Sequence, residues 1–316
     1  MPFKIGFAII THNEPEQLLR LVKILNAMFG APPIVCHHDF SQCSLQESLF
    51  PTNVRFAHPY IVTRWGDITA PLAALRAFSL LRNADQPDWF FLLSGSCYPV
   101  RPADEIVANL SNTHYDAYLD NREILYRALP PGPTAQDGGF GRPDWIPLAY
   151  DRYCTCRRPT KPFLFSGRFL FSNRTDRTDR SKFVPIRNHS IDCMTRWFQF
   201  NRPSRIYGGD FWFHANYKAI NRLLDDPSMK RLVRYYRTRP NPEESLFHTA
   251  LCNQVDVIIC KDHKRYENWS FERYSPHPKW LDMSDVPQII ASGAYFARKF
   301  RDAKLLQFVE TTLVRG

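Results

Sequence analysis

At 316 residues with 44% hydrophobic side chains, the chain can bury a full core, which excludes the disordered and fibrous classes. Its formal net charge of +10 is spread along the sequence rather than gathered in runs. That balance admits an anionic partner such as a nucleotide phosphate or an acidic membrane surface, and argues against nucleic acid. The eight cysteines form no Cys-x-x-Cys pair, so a zinc ribbon is not expected.

The opening stretch, Met1 to Ile10, carries one charge and no small-residue cleavage site, and it leads into a helical pattern. It reads as a first strand rather than a signal peptide, and no apolar run reaches the length of a bilayer span. A cytoplasmic location follows as the expectation, with peripheral attachment to a membrane as its variant.

Phe3–Ile10 is a continuous apolar run, as expected of a strand buried on both faces of a parallel sheet. Asn13 and Glu16 have capping-box spacing with Pro15 in the first turn, and Leu18, Leu21, Val22, Leu25, Met28 and Phe29 recur at helical spacing up to Gly30. Ile34–Cys36 is a second strand. This strand–helix–strand opening predicts an α/β fold with ligands at the carboxyl ends of a mostly parallel sheet. Val54–Ala57 is a third strand, a helix spans about 70–81, and Trp89-Phe-Phe-Leu-Leu93 is the strongest strand signal. A helix over 103–110 and a strand at 117–119 follow. From about 129 to 204 the pattern dissolves into proline, glycine and arginine, Arg152 among them, as expected of loops that shape specificity. Regular signals return at Gly208, with a helix over about 217–224, another after Glu244, and a strand at 255–260.

Four stretches carry candidate chemistry. His37-His38-Asp39 ends a strand; it fits a nucleotide contact or, equally, a capping turn. Ser94-Gly95-Ser96-Cys97 sits at the expected ligand edge but lacks the Gly-x-Ser-x-Gly elbow of a hydrolase. No Asp-x-Asp occurs, so a diphosphate group would have to be neutralised by cationic side chains. Lys279, Arg298 and Lys299 are the candidates, the last two flanked by aromatics. Finally, Pro242-Glu243-Glu244 stands before an apolar helical stretch, where acids either cap a helix or serve as a general base.

Taken in order, these stretches carry a resemblance. Thr11-His12-Asn13, His37-x-Asp39, Trp65-Gly66, Leu92-Leu-Ser-Gly-Ser-x-Tyr-Pro99, Gly208-Gly-x-x-Trp-Phe213, Pro242-Glu-Glu-Ser-x-Phe-His-Thr249, Asn268-Trp-Ser270, His277-Pro278 and Phe296-Ala-Arg-Lys-Phe300 match the Core-2/I-branching glycosyltransferase family. The chain resembles that family over about residues 7–300, outside 121–204, and is most similar to its peptide O-xylosyltransferase branch.

The resemblance implies a GT-A-like fold in one domain over 1–316. Within it, 1–120 would be the nucleotide-binding half, 121–204 a variable acceptor-side insert, and 205–316 the catalytic and diphosphate-binding half. It implies an inverting, metal-independent transferase moving N-acetylglucosamine or xylose from a UDP-sugar to a glycan, lipid-linked saccharide or protein, without a metal cofactor. Glu244 would be the catalytic base, with Glu243 left as the helix cap. His37, Asp39, Trp65, Gly66, Ser94, Gly95, Lys279, Arg298 and Lys299 would bind the donor; Asp210, Trp212 and Trp269 would meet the acceptor. Two departures stand out: Cys97 and Phe211 occupy positions where the family or this branch usually has an acid. They leave a catalytically silent glycan- or nucleotide-binding module as the alternative.

Overall fold

A computed structural model describes residues 3–124, 145–157, 183–185, 205–270 and 277–314. Its strands in chain order are β1 (Ile5–Thr11), β2 (Ile34–His38), β3 (Val54–Phe56), β4 (Trp89–Ser94), β5 (Tyr98–Pro99), β6 (Ala117–Tyr118) and β7 (Arg122–Glu123). There follow β8 (Thr155–Arg157), β9 (Phe183–Pro185), β10 (Tyr207–Gly208), β11 (His214–Asn216), β12 (Ile259–Cys260), β13 (Arg265–Glu267) and β14 (Phe296–Arg298). The helices used below are α1 (Pro15–Phe29), α2 (Thr69–Asp85), α3 (Ala103–Ser111), α4 (Trp145–Tyr153), α5 (Tyr217–Asp225), α6 (Ser228–Tyr236), α7 (Leu246–Cys252), α8 (Val286–Ala291) and α9 (Ala303–Phe308).

Seven strands form the central sheet in the order β12-β6-β11-β4-β1-β2-β3. All run the same way except β11, which is antiparallel to both β4 and β6. The architecture is therefore mixed α/β with a mostly parallel sheet, as the opening strand–helix–strand pattern predicts. A smaller sheet, β13-β14-β5, continues from the end of β4.

Period-two alternation divides the core. Phe7, Ile9, Phe91 and Leu93 point into the layer shared with α1, α3, β14 and α9; Ala8, Phe90 and Leu92 point into the layer shared with α2, α5, α6 and α7. Because β1 and β4 are covered on both sides, their sequences read as unbroken apolar runs rather than alternating ones.

Several local expectations change. The Asn13–Glu16 capping box does not form: α1 starts at Pro15 after Glu14, whose φ of 49° is left-handed and whose side chain caps nothing. Pro15 in the first turn supplies a preset φ, so the helix starts without a side-chain cap. Gly30 closes it in the left-handed conformation, as expected. The strand expected over 255–260 shrinks to Ile259–Cys260, with Val255 and Ile258 exposed. Helix α6, amphipathic and basic, is absent from the sequence expectations. Among the described residues no helix is long and apolar enough to cross a membrane.

Candidate active site

Strand direction decides where the cleft lies. The carboxyl ends of β1 (Ile10, Thr11) and β4 (Ser94) open onto one sheet edge, and the segments that follow them, His12–Glu14 and Gly95–Ser96, line a cleft of about 600 Å³. Because β11 runs the other way, the residues that precede it, Asp210–Trp212, arrive at that same edge. The turn before α7 supplies Asn241, Glu243 and Glu244, and the second sheet supplies Arg298 and Lys299.

Glu244 lies in the short 3-10 turn Pro242–Glu244 rather than on a helix. Its Oε2 accepts hydrogen bonds from Arg152 Nη1 at 2.6 Å and from the Trp145 indole nitrogen at 3.3 Å, both on α4. Its carbonyl accepts from Gly209 N at 2.9 Å. That approach needs a glycine at 208, where a Cβ would lie 2.8 Å from the Glu244 carbonyl oxygen; Gly209 meets a different neighbour, a Cβ there falling 2.1 Å from the Asp120 carbonyl oxygen. Gly208 lets the turn rest directly against β10.

Glu243 also lines the cleft, and the cap role expected of it does not occur: Ser245 occupies the N-cap position of α7. Glu243 Oε1 accepts from Asn241 Nδ2 at 3.4 Å, while Oε2 is buried without a hydrogen-bond partner. Burial, reinforced by the charge of Glu244, pushes its carboxyl up to about 8.

Across the cleft, Arg298 Nη1 donates to Glu267 Oε1 at 3.2 Å, its guanidinium lies 4.9 Å from the Trp212 ring, and its Nε has no partner. Lys299 faces the Trp280 ring at 5.4 Å; burial and the neighbouring Arg298 bring its amine down to about 8. Asp210 turns its carboxylate towards His263, with Oδ2 3.3 Å from Nε2. Burial favours the neutral carboxyl, yet His263 and then Arg298 outweigh it and hold Asp210 below the usual range.

A sequence profile of the family described as Core-2/I-Branching enzyme matches residues 5–127 and 162–290. The chain belongs to the Core-2/I-branching enzyme family. Among curated proteins, it is similar to β-glucuronosyltransferase GlcAT14A of Arabidopsis thaliana, 24% identical over 244 residues covering 75% of this chain and 45% of the relative. Glucuronosyltransferase GlcAT14B of the same plant is 23% identical over 74% of this chain and 46% of its own length. Xylosyltransferase 1 of Rattus norvegicus is 22% identical over 95% of this chain and 34% of its own length. The chain thus spans less than half the length of each.

In this Core-2/I-branching family member, the cleft brings together Trp65, Gly66, Ser94, Gly95, Asp210, Trp212, Glu244, Trp269, Arg298 and Lys299 of the expected site. It does not bring in His37, Asp39 or Lys279. His37 is buried, accepting from Ile61 N at 2.9 Å through Nε2. Asp39 is fully buried, and its two oxygens are taken by Ser41, Gln42 and Thr63. Burial pushes its carboxyl up, but these hydrogen bonds, led by Ser41, hold it well below the usual range. Gln42 and Thr63 line the cleft, so Asp39 supports its rim from beneath. Lys279 is held off the cleft by Asp282 at 2.9 Å and Asp285 at 3.5 Å.

Both departures from the family pattern have a physical setting. Cys97 is fully buried below the cleft, where Arg265 Nη1 and the Ser94 backbone N–H approach its sulfur at 3.1 and 3.2 Å. Phe211 is a wall residue, stacked on Phe247 at 5.9 Å between ring centroids. Reading the sequence missed Trp145 and Arg152 as site residues. Arg152 lies in the arginine-rich stretch, where no motif separates it from its neighbours.

Proposed function

We propose that the cleft is the active site of a glycosyltransferase that moves a sugar from a UDP-sugar to an acceptor hydroxyl with inversion at the anomeric carbon. The observation that carries the reading is one cleft holding a carboxylate, Glu244, together with two cations, Arg298 and Lys299, at the carboxyl edge of the sheet. The matched relatives, glucuronosyl- and xylosyltransferases by name, support the reaction class. The donor panel is accordingly UDP-xylose, UDP-glucuronate and UDP-N-acetylglucosamine, and the acceptor a glycan, lipid-linked saccharide or protein.

In this reading Glu244 takes the proton of the acceptor hydroxyl as its oxygen bonds to the anomeric carbon from the face opposite UDP. The bond from that carbon to the phosphate oxygen breaks, and its electron pair leaves on the diphosphate. Arg298 and Lys299 stabilise the charge that develops there, the electrostatic task that a divalent ion performs in other transferases. Arg152 and Trp145 fix the carboxylate by donating to one of its oxygens. The broad faces of Trp65, Trp212 and Trp269 offer stacking surfaces for sugar or base.

The test is a transfer assay across the donor panel, without added metal and then with chelator, alongside UDP titration. The reading expects UDP binding and chelator-resistant turnover with at least one donor. Chelator-sensitive activity restored by manganese overturns the metal-independent part; absence of any UDP binding overturns the whole.

A further inference from the structure

We propose that Glu267 is a positioning residue that holds Arg298 and the Trp269 indole as one unit, so that two walls of the cleft are set together. This rests on the donor-site reading above, and it concerns a side chain outside the cleft lining.

The geometry is specific. Strand β13 pairs in parallel with β14, and the register places Glu267 opposite Arg298. The Glu267 side chain is 5% exposed and that of Arg298 is 12% exposed, so neither partner can turn out to water. Glu267 Oε1 accepts from Arg298 Nη1 at 3.2 Å, and its Oε2 accepts from Trp269 Nε1 at 2.9 Å. Both donors line the cleft. The guanidinium is then fixed at one edge by Glu267 and on one face by Trp212, 4.9 Å from the ring centroid, while Nε stays without a partner inside the protein.

Chemistry narrows what can stand at this position. An arginine nitrogen and an indole nitrogen can only donate, so the bridging group must offer two acceptors at once. An ionised carboxylate does; glutamine, with one carbonyl and one amide nitrogen, serves only one of the two. A buried bridge of this kind costs desolvation and is retained where both partners must keep one geometry. Cutting it uncouples Arg298 from Trp269, even though Glu267 lies outside the cleft lining.

Electrostatics makes the test discriminating. A negative charge beside a diphosphate site weakens anion binding by Coulomb repulsion. If Glu267 were only such a charge, Glu267→Gln would bind UDP more tightly. The positioning role expects the opposite, a UDP dissociation constant roughly tenfold weaker, the scale of one charge-assisted hydrogen bond. It also expects a smaller penalty once the second donor is gone: measured against Trp269→Phe alone, which reports the lost ring surface, adding Glu267→Gln should cost little further affinity, because the glutamine carbonyl then serves Arg298 alone. The measurement is UDP titration of the full chain by calorimetry at fixed salt.

UDP affinity in Glu267→Gln equal to or above that of the unaltered chain overturns the proposal. So does a Glu267→Gln penalty as large in the Trp269→Phe background as in the unaltered chain. Should the glutamine variant not fold, Glu267→Asp keeps the charge but is one methylene short of spanning both donors; weakened UDP binding is expected, and unchanged binding overturns the role. Undiminished UDP affinity in Arg298→Ala locates the failure in the underlying donor-site reading instead.

Discussion

Arg152 Nη1 sits 2.6 Å from Glu244 Oε2, so the candidate base is held by a cation from a segment in which the sequence shows no pattern. Both side chains are largely buried, at 11% and 25% exposure. The pairing acts in both directions: burial opposes the charge on Arg152, and Glu244 favours it. By the same interaction the guanidinium favours ionised Glu244. Glu244→Gln is expected to bind UDP within about threefold of the unaltered chain while turnover falls by roughly 10²–10⁴, the usual scale of general-base catalysis. Retained turnover in that variant removes Glu244 from the mechanism.

Replacing Arg152 by glutamine tests the electrostatic half. The acid limb of the kcat/KM profile should move to higher pH, because ionised Glu244 has lost its neighbouring cation. An unmoved limb with reduced kcat makes Arg152 an anchor for the turn and nothing more.

Lys299 sets an alkaline limit. With its amine at about 8, it is charged at neutral pH and loses its proton as pH rises through that value. UDP affinity should therefore weaken, by up to roughly tenfold between pH 7 and pH 9 if one cation–diphosphate contact is lost. Lys299→Arg should flatten the dependence, since guanidinium does not titrate there. A flat titration in the unaltered chain excludes the contact.

Glu243 couples stability to pH. Its carboxyl is at about 8 in the folded chain against an ordinary 4.5, so the folded state keeps a proton that the unfolded state releases between those values. The associated stability is fully present below the lower value and is lost as pH rises through the upper one. Glu243→Gln cannot ionise, so its melting temperature relative to the unaltered chain should climb from pH 5 to pH 8.5, by about 2–4 °C for each kcal/mol in chains of this size. Parallel melting curves for the two proteins refute the assignment.

Lys279 provides a contrast. Since Asp282 and Asp285 hold it away from the cleft, Lys279→Ala should leave UDP affinity within about twofold, less than any lost charge-assisted contact produces. A tenfold loss restores it to the donor site.

How much of this was legible follows from what sequence patterns encode. Strands β1 and β4 are buried on both faces, and that condition writes itself as Ile5–Ile10 and Trp89–Leu93; the sheet was therefore readable. So was the position of the cleft, because parallel strands put their ligand edge at their carboxyl ends. The surroundings of His37, Asp39 and Lys279 were not readable. A strand-end aspartate open to a cleft and one whose oxygens are filled by Ser41, Gln42 and Thr63 look the same in sequence, and only the return of Thr63 to the β2 end separates them. Trp145 and Arg152 were hidden because their contact with Glu244 spans more than ninety residues and leaves no spacing to recognise.

Gly208, under the Glu244 turn, has a consequence for altering the candidate site. With no side chain between the turn and β10, backbone meets backbone, and this main-chain contact joins Arg152 and Trp145 in fixing where the candidate base stands. That contact offers no graded adjustment, since the smallest addition at Gly208 already meets the Glu244 carbonyl oxygen at 2.8 Å. Substitution on the opposite bank, where Trp65, Trp269 and Trp280 line the cleft, would reshape the pocket and leave that backbone contact untouched.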